Sequence, residues 1–268
     1  MKPLKIGIVV ESTNLSVRQA LIAAARMGAR GVQVSAVGDL APDALTATGR
    51  RDFRNLIRSF DLDLAALNVP MRRGLDVSDD LQQRIERVRK AMQLAFDLGA
   101  RRVVLPLPKL VDEPAAGVTA TREMHLRDAL GAIGAFGDRV GCFAALEIGL
   151  DPAAKVKEFF ATFDHGTLKV TYDPANFLQH GHDPLANLMP LAGLVEHVHA
   201  RDARALGVSC GPQEVPVGAG DIDWMALTAT LQVLEFDGFM VVEREQGDNK
   251  LNDVTNGVKF LKRFAPPV

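Results

Sequence analysis

The sequence predicts an α/β fold of the (β/α)8 barrel class, formed by a single domain over residues 1–268. Three observations point there. Eight short runs rich in β-branched residues recur along the chain, and longer segments of helical period separate them. No G-x-G-x-x-G follows the first run, where Glu11-Ser12-Thr13 stands instead. Strict βα alternation implies a parallel sheet, because parallel neighbours need a crossover helix. The missing glycine fingerprint argues against the open, dinucleotide-binding version of such a sheet.

The elements follow in order. KIGIVV (5–10) is the first strand, and SVRQALIAAARMGA (16–29) the first helix, with Gly28 placed to end it. GVQVSAV (31–37) and LAALNV (64–69) are strands two and three. The long helix DDLQQRIERVRKAMQLAFDLGA (79–100) repeats apolar residues at three- and four-residue intervals, with Ser78 or Asp79 as its cap and Gly99 as its stop. RRVVLPL (101–107), CFAALEIG (142–149), LKVTYD (168–173) and VEHVHA (195–200) supply strands four to seven. RDARALGVSCGPQEVPVGAGDID (201–223) reads as a long irregular loop, and such loops inside domains usually carry function. At its end Gly218 and Gly220 permit tight turns, Asp223 caps a helix, and Trp224 packs on the barrel. FMVVER (239–244) is strand eight and DVTNGVKFLKRF (253–264) the last helix.

Composition narrows the function classes. With 47% hydrophobic and 24% charged residues the chain is typical of a globular protein. A net charge of −2 offers no electrostatic basis for nucleic acid or an anionic membrane as partner. The apolar run after Lys5 stops at Val10 and meets Glu11, too short for a span and without a cleavage signature, so it is a strand. Cys142 and Cys210 make no disulfide framework, and a reducing cytoplasmic setting is expected.

In a closed parallel barrel the carboxyl ends of all strands ring one opening, where active sites form. Strand five ends on Glu147, strand six on Asp173, strand seven carries His199, and strand eight leads into Glu243. Each is an ionisable residue at the end of an apolar run, a costly placement unless they converge on a ligand. Two glutamates, an aspartate and an imidazole suit one divalent ion such as Mn2+, Mg2+ or Co2+, and zinc is also compatible. In VEHVHARD, His197 and His199 lie two apart and face the same side. His199 is nearer the strand end and is the ligand candidate. His197 is expected to be structural, or to hydrogen-bond a ligating carboxylate.

The chain resembles the sugar isomerase/epimerase family of xylose-isomerase-like TIM barrels over nearly its whole length. The resemblance rests on LEIG (146–149), YDPANFLQHGHDP (172–184), HVHARD (197–202), VPVGAGDIDW (215–224) and VVERE (241–245). It implies that Glu147, Asp173, His199 and Glu243 hold one metal, and that Glu147 and Glu243 also exchange protons with a sugar or sugar phosphate. The implied reaction is isomerisation or epimerisation through a metal-stabilised enediolate. A keto-polyol or sugar dehydratase and a non-catalytic sugar-binding barrel are the alternatives. An apurinic endonuclease of the same superfamily would need further histidines, but Asn68 ends strand three and Asn176 follows Asp173. Asn176 stands where several ketose epimerases carry a substrate-contacting histidine, and Ile148-Gly149 departs from the polar residue many relatives place after the strand-five glutamate.

Around this core, Asn176, Arg201, Arg204, Glu11 and His182 are expected substrate contacts. Asp202 could instead pair with an arginine, and His180 flanks the same glycine as His182. Arg72 and Arg73 after strand three and Lys109 after strand four could grip a phosphate or carboxylate. A homo-oligomer is compatible with such barrels, and the sequence carries no interface signature.

Overall fold

The computed structural model describes residues 3–112, 117–205 and 211–265. Strands β1 (Lys5–Val9), β2 (Gly31–Ser35), β3 (Asp63–Asn68), β4 (Arg102–Pro106), β5 (Phe143–Glu147), β6 (Leu168–Tyr172) and β7 (Val195–Ala200) come first. A hairpin of β8 (Asp202–Ala205) and β9 (Pro212–Val215) precedes β10 (Phe239–Val242). The eight strands outside the hairpin form a closed parallel barrel in the order β1-β10-β7-β6-β5-β4-β3-β2. Helices α1 (Val17–Met27), α2 (Ala47–Arg58), α3 (Leu81–Leu98), α4 (Val118–Val140), α5 (Ala153–Phe160), α6 (Pro174–Gln179), α7 (Trp224–Val233) and α8 (Lys250–Leu261) make the crossovers.

Residues of α3 show why the helices settle as they do. Ile85, Val88, Met92, Ala95 and Leu98 are all buried, and their spacing forms one stripe facing the strands. Gly28 and Gly99 end α1 and α3 with φ of 70° and 88°, conformations that cost a side chain more than a glycine. The expected cap of α3 is corrected. Asp80, in the left-handed region, takes the N-cap position without a side-chain bond, while Asp79 accepts from Arg73 at 3.0 Å. Asp223 does cap α7, accepting from the Ala226 amide at 3.0 Å.

Inside the barrel the side chains form layers, as the two-residue period of a strand requires. Val9, Ala65, Phe239 and Val241 make a small apolar cluster of their own. Gly31 is what makes room for the Phe239 ring, since a Cβ there would lie 2.6 Å from its edge. Other inward positions are polar, with Gln33, Thr171 and His197 fully buried. Strand register sets the heights of the upper layers: Glu147 pairs with Thr171, Thr171 with His197, and His199 with Val241. Asp173 and Glu243 each lie two residues beyond an inward-facing partner and so face inward at the mouth.

Within the segment expected to be irregular, residues 202–205 and 212–215 are paired strands. Asp202 pairs with Val215 and Ala203 with Glu214 in an antiparallel ladder. Cys210 and the rest of 206–210 lie outside the described residues. Asp202 is corrected too: it takes no arginine. Its carboxylate accepts from Trp224 Nε1 at 2.8 Å, Gly218 N at 2.8 Å and Ala203 N at 2.9 Å, tying the hairpin base to α7. Gly220 is required there, because a Cβ would lie 2.0 Å from an Asp202 oxygen.

Candidate active site

Glu147, Asp173 and His199 come together at the carboxyl end of the barrel, each offering a ligand atom within 4.8 Å of the others. Glu243 reaches the same imidazole from β10, with Oε2 2.9 Å from His199 Nδ1, but lies outside that mutually close trio. Glu147 Oε2 approaches the same nitrogen at 3.7 Å. Asp173 and His199 are buried, with Asp173 wholly inaccessible. Glu147 and Glu243 keep 25% and 14% of their side chains exposed, so both line the opening.

The histidine pair has one organiser that the sequence did not reveal. Gln33 on β2 presents Oε1 to His197 Nε2 at 2.8 Å and to His199 Nε2 at 3.2 Å. An amide oxygen only accepts, so both rings donate their Nε2–H to it. When the ring is neutral this leaves Nδ1 of His199 as the lone-pair nitrogen, turned toward the carboxylates. The Glu243 contact is close enough for an ion pair, yet Nδ1 has no partner in hydrogen-bonding geometry. His197 therefore bonds an amide and not a ligating carboxylate, and burial holds it neutral, far below the usual histidine range.

The donor set fits a divalent cation on these observations. Two carboxylates and an imidazole whose Nδ1 has no hydrogen bond among the described residues, with a third carboxylate 2.9 Å from that nitrogen, are the oxygen-rich mixture that hard and borderline ions take. Electrostatics agree. Burial, reinforced by Asp173 and Glu243, pushes Glu147 up to about 7 against the pull of His199. Burial likewise raises Asp173, although Arg201 and His199 oppose it. For Glu243 burial works in the same direction but the imidazole outweighs it, and its carboxyl lies below the ordinary range. Burial would lower His199, but Glu243 and then Glu147 lift it to about 9, so a proton and a cation compete for the same place.

A ring of charge stands behind the ligands. Arg201 Nη1 donates to Asp173 Oδ2 at 2.9 Å and to Asn176 Oδ1 at 3.1 Å, and Nη2 donates to Glu245 at 2.8 Å. Glu214, on the hairpin, lies 3.5 Å from Arg201 Nε and 3.1 Å from Arg244 Nη1. Its oxygens also accept from the Glu245 and Gln246 amides. Asn176 donates to Glu147 Oε1 at 3.0 Å, and its own backbone amide donates to Asp173 Oδ1 at 3.0 Å. Gly149, with φ of 130°, lets the start of α6 come this close, since a Cβ would sit 2.4 Å from Asn176.

The other expected contact residues have protein partners of their own. Glu11 sits in a 3-10 turn after β1, where its carboxylate accepts from the Ser35 amide at 2.6 Å. Arg204 is exposed on the hairpin and donates to the Ala219 carbonyl. His182 packs its ring edge against Phe177, with centroids 6.3 Å apart, and His180 bonds the Asn176 carbonyl. Arg73 is taken by Asp79, while Arg72 lines a rim cavity of about 730 Å3 with Arg84 and Arg87. Lys109 lines a second cavity of about 500 Å3 between α4 and α5. Gln33, Glu214, Arg244 and Glu245 went unread because an amide in a strand or an acid in a loop has no signature until its partner is known.

A family model described as xylose isomerase-like TIM barrel matches residues 21–264. The chain belongs to that family. A xylose isomerase domain protein from Planctomyces limnophilus superposes with a TM-score of 0.82 at 20% identity, over 98% of each chain. A D-tagatose 3-epimerase-like protein does so with a TM-score of 0.78 at 17% identity, over 97% of each. These likenesses establish the family's barrel. Among curated proteins, the inosose dehydratase of Lacticaseibacillus casei is 25% identical over 128 residues, 42% of this chain and 43% of that protein. The match thus spans less than half the length of the curated relative. No described helix is long and apolar enough to cross a membrane.

Proposed function

We propose that the protein is a metal-dependent sugar or sugar-phosphate isomerase/epimerase in which Glu147 and Glu243 move the proton. The observation that carries this reading is His199 Nδ1, buried without a hydrogen bond and facing acids from two other strands. Glu147, Asp173, His199 and Glu243 would hold the ion, with Mn2+, Mg2+ or Co2+ the best matches to their chemistry and Zn2+ also compatible. A divalent ion bound there supplies positive charge beside the oxygens of a keto sugar as negative charge develops on them.

The two glutamates divide the acid and base roles. Groups whose environments drive their proton affinities apart are natural acid–base partners. Glu243, whose carboxyl lies below the ordinary range beside His199 before any cation binds, is the group we assign to take the proton α to the carbonyl. The C–H electron pair moves toward the carbonyl oxygen. Glu147, which burial lifts to about 7 in the absence of a cation, returns the proton. Return to the opposite face of the same carbon epimerises, and return to the neighbouring carbon isomerises. Asn176, partly exposed between Glu147 and Arg201, and His182 are the polar groups we assign to substrate hydroxyls.

A second reading is favoured by the inosose dehydratase match. In it Glu243 removes the same proton, and Glu147 protonates a neighbouring hydroxyl that leaves as water. One experiment separates the two. The protein with Mn2+ is incubated in D2O with a ketose, a ketose phosphate and a keto-inositol, followed by NMR and mass spectrometry. Deuterium at an α-carbon without mass loss supports epimerisation or isomerisation, and loss of water supports the dehydratase. A panel showing neither, with metal bound, contradicts proton transfer and leaves a sugar-binding barrel.

A further inference from the structure

We infer that Arg201 is a positioning residue that orients two of the four ligands, Asp173 directly and Glu147 through the Asn176 amide. The inference rests on the metal-site reading above and adds a device that holds it in shape. Arg201 cannot be a free substrate contact: only 5% of its side chain is exposed, and four protein groups surround it. A guanidinium presents its donors in one plane and in fixed directions, which a lysine ammonium does not. Here Nη1 serves Asp173 and Asn176 on one side, Nη2 donates to Glu245, and Glu214 lies 3.5 Å from Nε as an ion-pair partner without a hydrogen bond.

The consequences run along two branches. In the first, both oxygens of Asp173 are pinned: Oδ2 accepts from Arg201 and Oδ1 from the Asn176 amide. The carboxylate cannot swing, and the remaining lone pairs keep a fixed direction. In the second, the arginine selects the orientation of the Asn176 side chain. Its amide oxygen must face the guanidinium, so its NH2 faces Glu147 Oε1 at 3.0 Å. That bond engages one oxygen of Glu147 and leaves Oε2 as the atom nearest His199 Nδ1, at 3.7 Å. With the amide reversed, its oxygen would oppose a carboxylate and its NH2 a cation. Glu214, fixed by two backbone amides at the start of the β10–α8 loop, joins the hairpin to this arrangement.

The test is a double-mutant cycle read by Mn2+ affinity, with free Mn2+ followed by electron paramagnetic resonance and folding checked by circular dichroism. The proteins are wild type, R201M, R201K, N176L and R201M/N176L. The expected result is at least about tenfold weaker Mn2+ binding in R201M, the range for groups that orient ligands. R201K should recover part of the loss, because it keeps a donor for Asp173 without the fork for Asn176. N176L should weaken binding in wild type and have little further effect in R201M, since the relay is then already broken. Wild-type affinity in folded R201M overturns the positioning role and leaves the metal site standing. Equal effects of N176L in both backgrounds overturn the relay. Should R201M not fold, the same cycle is run with R201K, where loss of the relay again predicts a reduced N176L effect. A wild type that binds no Mn2+ overturns the metal reading and this inference together.

Discussion

At the amino end of the barrel, Arg102 on β4 reaches across to Glu196 on β7, bonding its carboxylate at 2.6 Å and its backbone carbonyl at 3.2 Å. Lys5 pairs with Asp237, and Asp138 accepts from His165 at 2.8 Å and from Thr167 at 2.7 Å. Each of these acids has its own cation or donor. At the carboxyl end, Glu147, Asp173 and Glu243 crowd one imidazole, and two of the three are driven toward protonation by burial. The same strands thus begin in satisfied pairs and end in a frustrated cluster. Residues that lower the cost of folding sit at one end, and those that raise it sit where chemistry would occur, the division expected when stability and function compete.

That contrast can be broken or sharpened by substitution. The largest effect is expected for E147Q, which should reduce conversion of substrate to product by about 10²–10⁴-fold. Its thermal midpoint should hold or rise, because a buried acid is replaced by a neutral amide of the same shape. A fall in Tm with retained conversion would reverse the assignment of the two ends. Q33L should cost about 1–3 kcal/mol, since it leaves two buried imidazole N–H groups without an acceptor. The same variant should weaken Mn2+ binding by about 10–100-fold, as loss of a ligand-orienting partner does. Denaturant unfolding and metal titration on one preparation check both.

R102M should lower stability by about 1–3 kcal/mol, less than for a fully buried pair because both side chains keep some solvent. It should not change Mn2+ affinity, and a tenfold change would show that the two ends are coupled. The smallest effect belongs to Asp138. Burial tends to raise its pKa, but the bonds from Thr167 and His165 outweigh this and hold it below the ordinary 3.8. A depressed carboxylate contributes stability above its unfolded pKa and loses it as pH falls through the folded one. D138N should therefore be less stable than wild type by under about 1 kcal/mol at pH 7, with the gap closing below about pH 4 in urea titrations.

Much of this was legible in the sequence because the barrel repeats a simple signal. β7 spans Val195–Ala200 as its β-branched run suggests, and the other barrel strands differ from their runs by a residue or two at the ends. The four ligand candidates were visible for one reason: an ionisable residue closing an apolar strand is out of place unless something pays for it. Residues whose meaning depends on a distant partner were not visible. Gln33 gains its role from histidines on β7, and Asp202, for which the sequence offers an arginine as one possible partner, accepts from the Trp224 indole. The hairpin was read as irregular because two four-residue strands leave too short a pattern to register.

The most direct test of the central claim is equilibrium Mn2+ binding to metal-stripped protein, beside H199A and E243Q. The account predicts one ion per wild-type chain and at least about tenfold weaker binding in each variant. A wild type that takes up no divalent ion, or variants that bind as well as it does, would contradict a cation site built from these four strand ends.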